Sequence, residues 1–291
     1  MHSGVIVKSY NSYYYVQHGD KTVACRIRGR FKQERFSLMV GDQVHFTMTG
    51  HNEGAIEDIV PRHSLLKRPA VANVDQVVLA FAAANPNIST TLVDKLLVLA
   101  ESSHLPIVLC INKIDLADQD ELADLCDLYR RIGYQVLLTS VKTGSGLTEL
   151  RKELYGKITA FAGPSGAGKS SLLNAIEPGL TLVTGEVSAK IGRGKHTTRF
   201  AQLLPLSGSG FVVDTPGFSA TEFTGMELTA LTWCFPELAK HAAACKFSTC
   251  LHDREPQCAV KEAVHAGAVA TSRYESYQVI LQELRDNKKG Y

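Results

Sequence analysis

Ile158-Thr159-Ala160-Phe161-Ala162, then Gly163-Pro164-Ser165-Gly166-Ala167-Gly168-Lys169-Ser170, then Ser171-Leu172-Leu173-Asn174-Ala175-Ile176 is the stretch that decides the fold. An apolar run, a glycine-rich turn and a run of helical periodicity make the strand–loop–helix unit of a P-loop α/β domain. Gly163, Gly166 and Gly168 let successive backbone N–H groups close around phosphate oxygens, and the helix start adds the positive end of its dipole. Lys169 reaches terminal phosphates and the Ser170 hydroxyl ligates magnesium. The candidate phosphate-binding residues therefore run through Gly163, Pro164, Ser165, Gly166, Ala167, Gly168, Lys169 and Ser170 to Ser171.

Downstream, Phe211-Val212-Val213-Asp214 has the pattern of a short buried strand ending in a carboxylate, and Thr215-Pro216-Gly217 follows. The pattern resembles the DxxG loop of GTPases: Asp214 would hold the magnesium hydration shell and the Gly217 N–H would meet the γ-phosphate. Between the two motifs lies Lys190-Ile191-Gly192-Arg193-Gly194-Lys195-His196-Thr197-Thr198-Arg199, without apolar periodicity, where a first switch belongs. Thr197 or Thr198 offers a hydroxyl to magnesium, with Thr198 the chosen ligand. Phe218 stands where many switch GTPases carry the glutamine that orients water, and a phenyl ring cannot hydrogen-bond. His196 is the local candidate for that catalytic task, with an RNA group as the alternative. Gly166 occupies the position at which potassium-activated relatives carry asparagine, so nothing supports potassium dependence.

Upstream, Pro106-Ile107-Val108-Leu109-Cys110-Ile111 reads as a buried parallel strand that delivers Asn112-Lys113-Ile114-Asp115 to its carboxyl end. A carboxylate at Asp115 accepts from the guanine ring N–H and amino group, which adenine cannot supply in that geometry. The next strand, Tyr134-Gln135-Val136-Leu137-Leu138-Thr139-Ser140, ends in the short polar loop Ser140-Val141-Lys142, where a backbone N–H can meet the guanine oxygen, and Ser140 joins the candidate nucleotide contacts. In an ordinary guanine-nucleotide switch the P-loop comes first and the base loop late. Here the order is rotated, which costs little, because nucleotide contacts depend on loops close in space and not on chain order. The rotation leaves Asp214 and Gly217 near the end of the nucleotide domain, a short covalent route into whatever follows.

The chain has 291 residues, 45% of them hydrophobic and 21% charged, with a net charge of +2. These values fit a globular protein of more than one domain and exclude a disordered tail binder. The charge is too small to argue for nucleic acid by itself. No apolar run is long enough to span a membrane and the start lacks the layout of a signal peptide, so the expected compartment is the cytoplasm. Of seven cysteines, Cys25, Cys110, Cys126 and Cys234 are scattered and read as small buried or half-buried thiols in a reducing compartment. Cys245, Cys250, His252 and Cys258 instead form C-x4-C-x-H-x5-C, the donor set of a closed tetrahedral zinc site that is structural. His241 and His265 flank it and are expected to face solvent.

Three domains are expected. Residues 1–63 hold five short strand patterns separated by Gly, Asn and Asp turns, an OB-fold-like barrel. Residues 64–226 alternate strand and helix, with helices over 91–101, 122–132 and 147–154, a doubly wound α/β domain. Residues 227–291 turn helical around the cysteine cluster and close with a helix over 274–285. Arg26, Arg28, Arg30, Lys32 and Arg35, interleaved with Phe31 and Phe36, give an OB-fold either a phosphate-tracking face or simply a solvated strand face; on the patch alone both readings stay open. Tyr13-Tyr14-Tyr15 reads as strand core and edge.

This order of guanine loop, Ser140 loop, P-loop, first switch and Asp214-Thr215-Pro216-Gly217 resembles the circularly permuted GTPases. With its flanking regions the chain is similar to the bacterial ribosome small-subunit-dependent GTPase A family over nearly its whole length. The resemblance implies a monomeric GTPase that cycles between GTP and GDP with magnesium, acts late in small-subunit assembly, binds that subunit's rRNA and is stimulated by it. On the residues alone two other classes stay open: a P-loop nucleotide kinase or ATPase, against which Asp115 argues, and a non-catalytic RNA-binding module that uses GTP as a structural ligand.

Overall fold

Alternation of apolar and polar residues in the first part of the chain closes a small barrel. In the computed structural model, which describes residues 1–27, 37–67, 69–178, 180, 201–214, 223 and 225–289, its strands are β1 (His2–Tyr10), β2 (Tyr13–His18), β3 (Lys21–Ile27), β4 (Gln43–Met48) and β5 (Glu53–Ile59). They close in the order β1-β2-β3-β5-β4, with β3 parallel to β5 and β4 paired back to β1. That is the five-stranded closure of an OB-fold. Every second residue points inward, so Ile6, Val16, Val23, Cys25, Val44, Phe46 and Ile56 share one core.

A short hairpin, β6 (Leu65–Lys67) with β7 (Ala70–Ala72), follows the barrel. Strands of three residues carry no readable period, so no pattern in the chain announced them. The hairpin is pinned to the barrel: the Ala72 N–H donates to the Val40 carbonyl at 2.9 Å and Asn73 Nδ2 to the Gly41 carbonyl at 2.9 Å. Arg62 grips the fully buried Asp42 with two hydrogen bonds of 2.6 and 2.8 Å.

The remaining strands are β8 (Gln76–Ala82), β9 (Ile107–Asn112), β10 (Gln135–Leu138), β11 (Ile158–Ala162), β12 (Leu203–Pro205) and β13 (Phe211–Asp214). They lie in the order β10-β9-β8-β11-β13-β12. β9 and β10 are parallel, as are β11 and β13, whereas β12 is antiparallel to β13. β8 and β11 are buried at every position, which is why both are apolar apart from Gln76 and Thr159. Among the described residues four helices alternate with these strands: α1 (Thr90–Glu101), α2 (Gln119–Ile132), α3 (Leu147–Leu154) and α4 (Lys169–Ile176). α2 begins earlier than its apolar period because Asp118 caps it, accepting from the Asp120 and Glu121 N–H groups at 3.0 and 3.1 Å. It stops at Gly133, whose φ of 119° no β-carbon favours.

The C-terminal region has a 3-10 helix (Leu228–Cys234) and then α5 (Pro236–Ala242), α6 (Ala259–His265) and α7 (Thr271–Lys289). By chain contacts the protein forms two compact units. One comprises Met1–Val78, Leu147–Ala162 and Lys169–Gly217, and contains the barrel; the other comprises Leu79–Gly146, Gly163–Gly168 and Phe218–Tyr291. Within the second, Val98 of α1 joins Leu231, Phe235, Leu238, Val260, Tyr277 and Ile280 in one core.

Beside that core α7 carries a buried cation. Arg273, 1% exposed, bonds Asp94 of α1 at 2.5 Å and Glu237 of α5 at 2.6 Å, with its guanidinium 4.4 Å from the Phe235 ring centroid. Burial alone would lower its pKa, but the charges of Asp94 and Glu237 outweigh that and raise it, so the guanidinium stays charged. Arg273→Ala leaves two carboxylates without their partner inside the protein, and urea unfolding should show a loss of about 3–5 kcal/mol. A triple replacement of Arg273, Asp94 and Glu237 by apolar residues should recover most of it. Equal losses in the two variants would mean that packing, not charge, is what Arg273 contributes.

Candidate nucleotide site and metal centre

The P-loop sits between β11 and α4, as the sequence requires. Its glycines are needed for close approach. Gly163, at φ 144°, passes so near the Ala80 carbonyl that a β-carbon would collide with it, and one on Gly168, at φ 84°, would run into Asn112 Nδ2. On the neighbouring strand β13, Asp214 is level with Phe161, so the carboxylate-bearing residue and the start of the P-loop lie at the same end of adjacent parallel strands.

The base loop leaves β9 at Asn112. This side chain is 2% exposed and donates from Nδ2 to the Ala167 carbonyl of the P-loop at 3.0 Å, while its Oδ1 accepts from the Thr139 hydroxyl at 3.4 Å. One asparagine thus ties the P-loop to both strand-end loops of the base side. Lys113 follows in left-handed backbone at φ 60°, and residues Ile114–Leu116 make a 3-10 turn that is anchored where the Ile114 N–H meets the Thr139 carbonyl at 3.3 Å. That turn presents Asp115. Its Oδ1 accepts from the Ser140 hydroxyl at 2.6 Å, and Lys142 stands 3.9 Å from Oδ2.

Ser140 holds its own loop as well. Its hydroxyl accepts from the Thr143 N–H at 3.2 Å, and its N–H is engaged by the Ser145 carbonyl at 3.0 Å. The N–H groups this loop can offer a base oxygen are therefore those of Val141 and Lys142. Sequence reasoning missed the orienting contact from Ser140 to Asp115; a hydroxyl on the strand-end loop next to a carboxylate loop was the available sign.

Cys245, Cys250, His252 and Cys258 come together with their ligand atoms all within 4.8 Å of one another. His252 Nδ1 lies 3.3 Å from Cys258 Sγ and 3.5 Å from Cys245 Sγ. Burial lowers the His252 pKa and so favours the neutral imidazole that a ligand must be; burial also pushes the Cys250 thiol up to about 12, a cost that a bound cation offsets. Three soft sulfurs and one imidazole in this arrangement can hold a metal ion. The loop is braced by Tyr274, whose hydroxyl donates to the His252 carbonyl at 2.6 Å, by Tyr277 donating to the Leu251 carbonyl at 2.9 Å, and by Glu255, which accepts from the Leu251 and Asp253 N–H groups. His241 and His265 are not part of the cluster. Cys25, Cys110, Cys126 and Cys234 are all buried, as expected.

A family model described as RsgA GTPase matches residues 59–224, and one described as the RsgA N-terminal domain matches residues 3–56. The chain belongs to the RsgA GTPase family. It is therefore a GTP hydrolase with a circularly permuted GTPase domain. A relative from Geobacillus thermodenitrificans, named small ribosomal subunit biogenesis GTPase RsgA, is 47% identical over 294 residues, covering 100% of each chain. One of the same name from Moorella thermoacetica is 45% identical over 99% of each. Among solved structures, YjeQ from Thermotoga maritima matches with a TM-score of 0.84 and 41% identity over 97% of this chain and 98% of its own. YloQ, described as a circularly permuted GTPase, matches at 0.83 and 38%, over 99% and 96%.

Several residues read from the sequence lie outside the described ones. They are Arg28, Arg30, Phe31, Lys32, Arg35 and Phe36 of the basic stretch, residues 190–199 with His196, Thr197 and Thr198, and Thr215, Pro216, Gly217 and Phe218. Of the basic stretch Arg26 is described: its guanidinium lies 4.4 Å from the Tyr13 ring centroid and donates to the Tyr13 hydroxyl on the outside of the barrel. Tyr14 packs against the barrel core, in keeping with a core and edge role for the tyrosine run.

Proposed function

We propose that this GTPase acts in the biogenesis of the small ribosomal subunit, binding its rRNA and hydrolysing GTP to GDP and phosphate when docked there. The observation that carries the reading is the Asn112 bridge, which joins a guanine-type loop to the P-loop in a chain that is similar from end to end to relatives named for that process. In this reading Asn112, Lys113, Ile114 and Asp115 form the base site with Ser140, which orients Asp115, residues 163–171 take the phosphates, and Ser170, Thr198 and Asp214 surround magnesium, which neutralises phosphate charge when bound. Gly217 meets the γ-phosphate, and His196, or an RNA group, orients the water. Residues 1–63 form the RNA-binding barrel, 64–226 the GTPase domain and 227–291 the metal-binding helical domain. The metal is zinc in a structural role, because four protein donors leave no open position for a substrate. Among the described residues no helix is long and apolar enough to cross a membrane. The reading is of a protein that works in the cytoplasm as a monomer.

GTP turnover measured with and without purified small subunits tests both halves. Alone, with Phe218 in the glutamine position, the protein should hydrolyse at ~10⁻⁴ to 10⁻² per second. Small subunits, and not large ones, should raise that rate strongly, with stimulation falling as salt rises because phosphate contacts release counterions. His196→Ala should lose most of the stimulated rate while keeping GTP affinity. Wild-type hydrolysis that small subunits leave unchanged would remove the partner; full stimulation of the variant would remove His196.

A further inference from the structure

The loop from β8 to α1 touches both halves of the nucleotide site. Asn85 adopts left-handed backbone at φ 51°, a conformation asparagine tolerates, and its carbonyl receives the Lys113 ammonium at 2.5 Å. The next residue, Pro86, faces the P-loop: a β-carbon on Gly166 would stand 3.1 Å from Pro86 Cδ, tighter than ordinary van der Waals contact. Just before the turn, the Ala83 N–H donates to the Asn112 carbonyl at 2.8 Å, so the loop is also stitched to the start of the base loop. Asn85 and Pro86 are themselves exposed and contribute nothing to a hydrophobic core.

We propose that the Asn85-Pro86 turn is a positioning element of the nucleotide site, holding Lys113 on one side and backing the P-loop at Gly166 on the other. It deepens the nucleotide-binding reading above and rests on it. A single stiff turn then sets the spacing between base and phosphate recognition. Proline suits the place because its fixed φ limits the states the loop can visit. Two separable features favour glycine at 166: its φ of 82°, and the tight approach of Pro86, which a β-carbon would have to push back by a few tenths of an ångström.

The test is a pair of double-mutant cycles read as the dissociation rate of a fluorescent GDP from the full chain. Pro86→Gly should speed release about two- to fivefold, the range expected for freeing one proline-fixed turn. Gly166→Ala should speed it further in the wild-type background than in Pro86→Gly, because removing the Pro86 ring leaves only the backbone strain. Lys113→Met should likewise lose less once the turn is loosened. Thermal melting checks folding, and Pro86→Ala replaces Pro86→Gly if the latter melts early. Additive effects in both cycles, or an unchanged release rate in Pro86→Gly, would overturn the role of the turn. If the wild-type protein binds no guanine nucleotide, it is the underlying reading of the site that fails.

Discussion

Asp115→Asn should turn a guanine-nucleotide protein into a xanthine-nucleotide one. The ground is local chemistry. Asp115 is presented on a fixed 3-10 turn, with Oδ1 already receiving the Ser140 hydroxyl. Asparagine can keep that bond through its own Oδ1, while an amide nitrogen replaces Oδ2 and turns an acceptor into a donor. The ring N–H, which both bases carry, keeps an acceptor oxygen; the guanine amino group then meets a donor and loses its partner, and xanthine, with an oxygen in place of the amino group, gains one. A site built to satisfy one hydrogen-bonding pattern rejects the other by about 10⁴-fold or more, since a buried group is left unpaired. Competition binding of GTP against XTP reads the ratio directly, and GTP affinity equal to wild type would sink the assignment. Ser140→Ala, which removes only the orienting hydroxyl, should cost about tenfold and leave the base preference in place.

Removing the metal should undo the C-terminal region while the nucleotide loops survive. Cys250 and Cys258 are candidate ligands and also members of the buried core that holds Leu231, Phe235, Tyr277 and Ile280. Loss of the ion would therefore open a core as well as a loop. Structural zinc sites of this donor type contribute on the order of 10 kcal/mol to the folding of the segment they close. Cys250→Ala, or wild-type protein dialysed against a strong chelator, should show protease cleavage between residues 245 and 258 and an early melting step. GTP affinity should change much less, because none of the four ligands belongs to the base loop or the P-loop. Affinity for the ion should also fall as the pH drops, because binding requires deprotonated thiols and a neutral imidazole. Elemental analysis that finds no zinc or comparable ion in the purified protein would remove this account.

What the sequence determined by itself is the chemistry that needs a particular side chain at a particular spacing. Glycines at 163, 166 and 168 before Lys169, the Asn112 to Asp115 loop after an apolar run, and C-x4-C-x-H-x5-C were all readable, because phosphate, guanine and metal each demand such local patterns. Strand and helix periods gave most of the elements, and where an end was misjudged, as at the start of α2, a capping side chain and not the apolar period had set it. Only the tertiary structure decided how these pieces hold one another. Asn112 reaches Ala167 across 55 positions, and Arg273 reaches Asp94 across 179. Pro86 backs a glycine far along the chain. Contacts of that kind leave no period and no composition behind, because each partner is an ordinary residue in its own stretch and acquires its role only when folding brings the other within bonding distance.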